Sequence, residues 1–202
     1  MIFTFSFDDA YKSFLSAASI LEKYGFRGTF NISLRDVICE RRDDRLRMFP
    51  DADILTWDEV KYLQDRGHEI ASHGVRHGDL GLATPDELLI EIVGSKRMFN
   101  ARGINVSTYA CAFNSFTPKA ERQSEGYYRS IRGVRGINEL PMKGRVYHSV
   151  TGRDIIPKLP SMVKENVWVV GAWHDTDSNG FEASVKAVKE LKIPVKLVRE
   201  MI

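Results

Sequence analysis

The stretch Ile2-Phe3-Thr4-Phe5-Ser6-Phe7-Asp8-Asp9 decides how the rest of the chain is read. Phe3, Phe5 and Phe7 fall on one face and Thr4, Ser6 and Asp8 on the other. Period two with aromatics is the signature of a strand. The three phenylalanines call for a covering layer of helices. The small hydroxyls suit a narrow barrel interior or the floor of a site. Asp8 and Asp9 would point to opposite sides of an ideal strand, so they serve one site only where the strand ends and the backbone turns.

Immediately downstream, Phe14, Ala17, Ala18 and Leu21 recur at helical spacing before Gly25, a stop signal, and Gly28-Thr29-Phe30-Asn31-Ile32 reads as a second strand. This βαβ unit favours a parallel sheet. Residues 35–53 are charged and poorly periodic, and read as a solvated loop at the rim of a cleft. Thr56-Trp57-Asp58-Glu59 fits a capping box. The helix it opens stops near Gly67, and residues 68–72 form a third strand that delivers His73 to its C-terminal end. Thr84-Pro85-Asp86-Glu87 starts a helix running to about Arg102. Strands are expected at residues 106–112, 127–132, 146–149 and 167–173, with a closing strand at 195–198. Thr117-Pro118 opens a helix, Asn179-Gly180 marks a turn, and Val185, Val188 and Leu191 mark a last helix. Gly133 to Ser161 is the least legible region. Strands alternating with helices throughout argue an α/β fold.

The 202 residues fit one domain, 1–202, with 43% hydrophobic and 28% charged residues, ordinary values for a globular protein. A net charge of +2, with no Lys/Arg run interleaved by aromatics, gives no argument for nucleic acid. No apolar stretch approaches the roughly 18 residues of a membrane span. The N-terminus has no basic region of a signal peptide, so the expected location is cytoplasmic. Cys39 and Cys111 lie far apart with no metal or redox spacing and read as buried or incidental thiols. Nothing in the sequence speaks to oligomeric state.

The polar candidates fall on strand ends: Asp8 and Asp9, His73, Phe113-Asn114 and His174. In parallel α/β folds chemistry collects there. In Ser72-His73-Gly74-Val75-Arg76-His77 two imidazoles four residues apart can share one face. With Asp9 they make three ligands for a divalent metal and leave a position open for water, whose pKa the metal lowers to about 7. Asp8 can take a proton from that water and His174 can donate one to a leaving group, a layout for hydrolysing an amide or ester. The bland alternatives are acids capping a helix N-terminus and histidines that are solvated or satisfied in the core. Candidates on four separate strand ends weigh against them.

These motifs resemble the polysaccharide deacetylase family, also called the NodB-homology domain or carbohydrate esterase family 4. Thr-Phe-Asp-Asp-Gly of that family is matched by Ser6-Phe7-Asp8-Asp9-Ala10. His-Ser/Thr-x-x-His is matched by His73-Gly74-Val75-Arg76-His77, and the Leu-His-Asp tripeptide by Trp173-His174-Asp175. The resemblance implies a distorted (β/α) barrel with about seven parallel strands, Asp8 as base, Asp9, His73 and His77 as metal ligands, and His174 as acid. It also implies an oxyanion donor in the Phe113 backbone N–H. Three departures stand out. Arg-x-Pro-Tyr aligns with Ala110-Cys111-Ala112-Phe113, without the arginine. An Asp-Trp pair that tunes the acid histidine has no counterpart. Gly74 replaces a hydroxyl residue. Arg132, on a neighbouring strand, is the candidate to replace the arginine. Trp173 is either core or a sugar-stacking wall, and Asn114 is a further candidate contact.

The resulting expectation is a hydrolase of carbon–nitrogen bonds other than peptide bonds, removing N-acetyl groups from a carbohydrate or sugar precursor. Zinc is the default metal, with cobalt or nickel able to fill the same ligands. The alternatives are hydrolysis of a non-sugar amide on the same scaffold, or a degenerate domain that binds metal and sugar without turnover.

Overall fold

A computed structural model describes residues 1–38 and 53–202. The alternating stretch forms β1 (Ile2–Asp9) and leads into α1 (Ser13–Lys23), which buries Phe14, Ala17, Ala18 and Leu21. Gly25 then takes φ 79°, a left-handed conformation open to glycine at little steric cost. β2 (Thr29–Ile32) follows, then α2 (Leu34–Ile38). The loop expected over residues 35–53 therefore opens as a helix. Residues 39–52, with Cys39, lie outside the described residues. Thr56 and Glu59 form both halves of the capping box at the head of α3 (Trp57–Asp65), and β3 (Glu69–Ser72) comes next.

The helix expected from Thr84 to Arg102 is in three pieces: α4 (Pro85–Leu88), a π-helical stretch at Leu89–Gly94, and α5 (Ser95–Ala101). β4 (Thr108–Ala110) is shorter than expected and is followed by a 3-10 turn at Ala112–Asn114 and α6 (Pro118–Ser124). β5 (Ser130–Arg135) starts three residues later than expected, because the Tyr127 and Tyr128 N–H groups still donate to Ser124 O at the end of α6. The region that was hardest to read contains β6 (Asn138–Glu139), β7 (Val146–Thr151), α7 (Gly152–Ile155) and α8 (Leu159–Met162). β8 (Val167–Trp173) and α9 (Ser178–Glu190) complete the order.

Seven parallel strands run β1-β2-β3-β4-β5-β7-β8, and β8 pairs back onto β1 with Phe3 opposite Val169 and Phe7 opposite Trp173. The sheet closes into a distorted (β/α) barrel, as expected. β6 adds a short antiparallel edge on the start of β8. Among the described residues no helix is long and apolar enough to cross a membrane.

The outward face of β1 anchors the layer between barrel and helices. Phe3, Phe5 and Phe7 are fully buried, and Phe7 stacks on Phe30 with ring centroids 4.6 Å apart. Each such ring stabilises the fold by about 1.5–3 kcal/mol. The inward face is polar and satisfied. Trp168 Nε1 donates to Thr4 Oγ1 (2.9 Å), Thr4 Oγ1 donates to Lys196 O (2.6 Å), and Asn31 Nδ2 donates to Ser6 Oγ (2.8 Å).

Two local expectations fail for identifiable reasons. The closing strand at 195–198 reduces to one bridge, Val195 to Phe3, before a 3-10 turn at Val198–Glu200. There the chain turns across the barrel floor: Val198 N donates to Thr29 Oγ1 (3.3 Å) and Arg199 N to Glu69 Oε2 (3.0 Å). Asn179-Gly180 is not a turn but the first turn of α9, because the Asp177 carboxylate accepts from both N–H groups at 3.2 and 3.0 Å.

Candidate active site

β1 ends with Asp9 at φ 88°, a left-handed conformation costly for a side chain other than glycine. That turn lets two consecutive carboxyls serve one cavity. His77, Phe113 and Asn114 also have positive φ, at 56°, 56° and 53°. All four residues line the same cavity of about 410 Å³ at the C-terminal ends of the barrel strands. Strain gathered in one place marks a site that the surrounding fold holds in shape.

His73 follows β3 directly, with its N–H donating to Ile32 O at 2.9 Å. Its Nδ1 lies 2.7 Å from Ala110 O, so Nδ1 carries the proton and Nε2 turns its lone pair toward Asp9. His73 Nε2 and His77 Nε2 lie 3.7 and 3.1 Å from Asp9 Oδ1. Donors about 2.1 Å from a shared tetrahedral ion would be about 3.4 Å apart. Among the described residues, Asp9 Oδ1 and His77 Nδ1 are buried without a hydrogen-bond partner. An orphaned carboxylate oxygen facing two imidazole nitrogens fits a divalent cation. Burial pushes the His73 imidazole down to about 4 despite the nearby Asp8 charge, so it is neutral at pH 7, as a ligand must be.

The loop between the two histidines rests on a residue the sequence reading did not select. Glu91 is buried on the π-helical stretch, and its carboxylate accepts from Val75 N at 2.9 Å and from Arg76 N at 3.0 and 3.1 Å. Gly74 has φ 89°, and a Cβ there would lie 2.3 Å from Glu91 Oε2. The carboxylate thus occupies the space a side chain at position 74 would need. The signal in the sequence was the glycine itself.

Asp8 faces the cavity from the last inward position of β1. Arg132 grips it through both oxygens, Nη1 to Oδ1 at 2.8 Å and Nη2 to Oδ2 at 2.7 Å, and Asn31 Nδ2 donates to Oδ1 at 2.8 Å. In the β4–β5 register Arg132 pairs with Ala110, the position where the arginine of the resembled motif is missing. The guanidinium therefore arrives from the next strand at the same level. Burial alone would raise the Asp8 pKa, but the Arg132 charge, with His73 and the Arg132 hydrogen bonds, outweighs it and holds the carboxyl well below the usual range.

His174 borders the cavity just beyond β8, exposed and with no side-chain hydrogen bond among the described residues. Phe113 stands at the rim, its ring edge-on to His77 at 4.7 Å between centroids, with Asn114 beside it. Of the residues selected from sequence, only Trp173 does not line this cavity. It is buried among Phe3, Phe5, Phe7 and Phe181, and it also borders the adjoining groove beside His174. Arg135, Ser149 and Thr151 complete the wall and were not anticipated. Cys111 is inert, since burial pushes its thiol up to about 12. His68 is structural: Nδ1 accepts from Gly28 N at 3.1 Å, and Nε2 lies 3.0 Å from Glu22.

Comparison with known proteins gives a consistent result. A family model described as polysaccharide deacetylase matches residues 2–125. No curated protein sequence matches the chain. Among solved structures, a peptidoglycan N-acetylglucosamine deacetylase in complex with a substituted N-hydroxybenzamide superposes with TM-score 0.70 at 15% identity, over 100% of this chain and 87% of that one. A family 4 acetyl xylan esterase from Clostridium thermocellum, in complex with a cobalt ion, gives 0.68 at 14%, over 100% and 90%. A carbohydrate esterase family 4 pseudoenzyme from Bacillus anthracis gives 0.68 at 16%, over 99% of this chain and 64% of that one. The chain thus spans just under two thirds of the pseudoenzyme's length.

Proposed function

The chain belongs to the polysaccharide deacetylase family, and we propose that residues 1–202 act as one metal-dependent hydrolase domain. The reaction is removal of an N-acetyl or related acyl group from an amino-sugar-containing carbohydrate. The observation that carries this reading is the convergence of the Asp9, His73 and His77 donor atoms, all within 4.8 Å of one another, beside an Asp8 clamped by Arg132.

Asp9 Oδ1, His73 Nε2 and His77 Nε2 would hold the ion, zinc by default and cobalt or nickel as alternatives. A divalent ion in these donors supplies Lewis acidity, which lowers the pKa of a coordinated water and polarises the acyl carbonyl. The chain's own groups do the rest. Asp8 accepts the proton lost by the attacking water, while Arg132 and Asn31 keep its carboxylate ionised and fixed in direction. The Phe113 backbone N–H donates to the developing oxyanion. His174 gives a proton to the amine nitrogen as the C–N bond breaks, so acetate and a free amine leave. The Ala110–His73 hydrogen bond and the Glu91-braced loop keep both imidazoles aimed at Asp9.

One observation favours a non-catalytic reading: the His174 side chain is exposed, with no hydrogen-bond partner among the described residues to orient it. The two readings separate in an acetate-release screen across N-acetylated sugars, with Asp8→Asn as control. Release that Asp8→Asn abolishes upholds the hydrolase. Binding without release from any acyl sugar upholds the pseudoenzyme.

A further inference from the structure

The mouth of the cavity carries a cation that the reaction just described leaves unused. In β5, Arg132 pairs with Tyr147 while Arg135 pairs with Ser149, three steps on one strand against two on its neighbour. The extra residue is a β-bulge. In a regular strand, residues three apart face opposite sides of the sheet. The bulge cancels that alternation, so Arg132 and Arg135 line the same cavity. Gly133 makes the bend fit: a Cβ there would lie 2.9 Å from Val146 Cγ1 and 3.0 Å from the His148 ring. Bulges at barrel rims re-aim side chains in this way.

The two guanidinium groups differ in what they meet. Arg132 is neutralised by Asp8 through both oxygens. Arg135 is exposed and donates to the neutral Thr151 Oγ1 at 3.2 Å. Among the described residues no carboxylate lies within 4.0 Å of it. Arg153 and Asp175 both border the adjoining groove beside His174, so that side adds no net charge and Arg135 is the unneutralised group. With a divalent ion in the Asp9, His73 and His77 donors, the mouth carries a net positive charge. A planar fork of N–H donors with no acid of its own is suited to a carboxylate or phosphoryl group.

We infer that the substrate is an anionic amino sugar, bearing a carboxylate or phosphoryl group that Arg135 binds while the N-acyl group enters the metal-ligand end of the cavity. The inference rests on the hydrolase reading above and narrows its substrate class. Three sugars with the same N-acetyl group test it: N-acetylglucosamine, which is neutral, N-acetylmuramic acid, which adds a carboxylate, and N-acetylglucosamine 1-phosphate. Wild-type protein and Arg135→Gln are compared by kcat/KM for acetate release, and by calorimetric Kd for any sugar not turned over. The wild type is expected to prefer at least one anionic sugar by about tenfold at low salt, and whichever is preferred identifies the anion. In Arg135→Gln that ratio falls to within about twofold of unity, Arg135→Lys recovers part of it, and about 1 M salt erodes it in the wild type.

Equal kcat/KM for all three sugars overturns the anionic inference and leaves the hydrolase standing. Anion-selective binding lost in Arg135→Gln, but without acetate release, upholds the Arg135 site and overturns the hydrolase reading. An anionic preference that survives in Arg135→Gln, or no binding of any of the three, overturns the inference.

Discussion

Replacing Gly74 by serine tests whether Glu91 holds the loop between the two histidines. Serine would restore the hydroxyl residue usual at this place in the resembled motif, so motif matching alone says it is harmless. The structure says otherwise on two counts. Gly74 has φ 89°, and an L-residue in the left-handed region costs roughly 1–2 kcal/mol. Its new Cβ would sit 2.3 Å from Glu91 Oε2. The carboxylate is the far end of a flexible chain and would normally yield. Here it is pinned by the Val75 and Arg76 N–H groups, so moving it breaks part-buried hydrogen bonds to a charged acceptor, at about 1.5–3 kcal/mol. Together the loss is roughly 2–5 kcal/mol, a fall in Tm on the order of 10 °C for a chain of this size. Thermal unfolding of Gly74→Ser and Glu91→Ala, alone and combined, reads it out. If the clash carries the cost, the double variant is less destabilised than the sum of the singles. A Gly74→Ser protein that melts within about 2 °C of wild type refutes the brace.

Other outcomes follow from the same geometry. Asp8→Asn should lower kcat by about 10²–10⁴-fold with stoichiometric metal retained. It should also lower the Tm, since it leaves the buried Arg132 without a counter-charge; unchanged turnover would remove Asp8 as the base. Arg132→Lys cannot reproduce the two-pronged grip. It should cost roughly tenfold or more in kcat without altering metal content, and activity retained in Arg132→Ala would sink the role given to this arginine. Away from the site, the Glu22 carboxyl is held at about 2 by Arg66 foremost and by His68, against opposing burial. Its folded value lies below its unfolded one, so its contribution is present above about pH 4.5 and is lost as pH falls toward 2. Glu22→Gln should therefore flatten the acid limb of stability between those values, measured by urea midpoints. A limb as steep as the wild type's would place the acid lability elsewhere.

Much of this was legible in the sequence because it rests on local periodicity. The Phe3, Phe5 and Phe7 alternation and the Thr56–Glu59 capping box each announce an element within a few residues. Asp8, Asp9, His73 and His174 stand out as candidates because strand ends are where a parallel barrel displays side chains, and Arg132 because the motif lacks an arginine that a neighbouring strand could supply. What escaped reading depends on contacts far along the chain. Glu91 looks like one more acid in a helical pattern, and only a π-helical stretch and a glycine 17 residues earlier make it a buried acceptor. Arg135 faces the cavity through a bulge, and an inserted residue erases the period-two signal that would have placed it. The C-terminal segment carries strand-like residues but is captured by Thr29 and Glu69 on the barrel floor. Asn179-Gly180 has turn composition, yet the Asp177 side chain recruits it into a helix.

The central claim is that Asp9, His73 and His77 hold a divalent ion on which acyl hydrolysis depends. Its most direct test is acetate release from an N-acetylated amino sugar, followed through chelation and back-titration with zinc, in wild type and in His77→Ala. Activity should vanish on chelation and return with a break at one equivalent of zinc in the wild type, while His77→Ala binds zinc at least about tenfold more weakly. Hydrolysis that continues undiminished in the presence of chelator, or a His77→Ala protein that takes up and uses zinc as the wild type does, would contradict it.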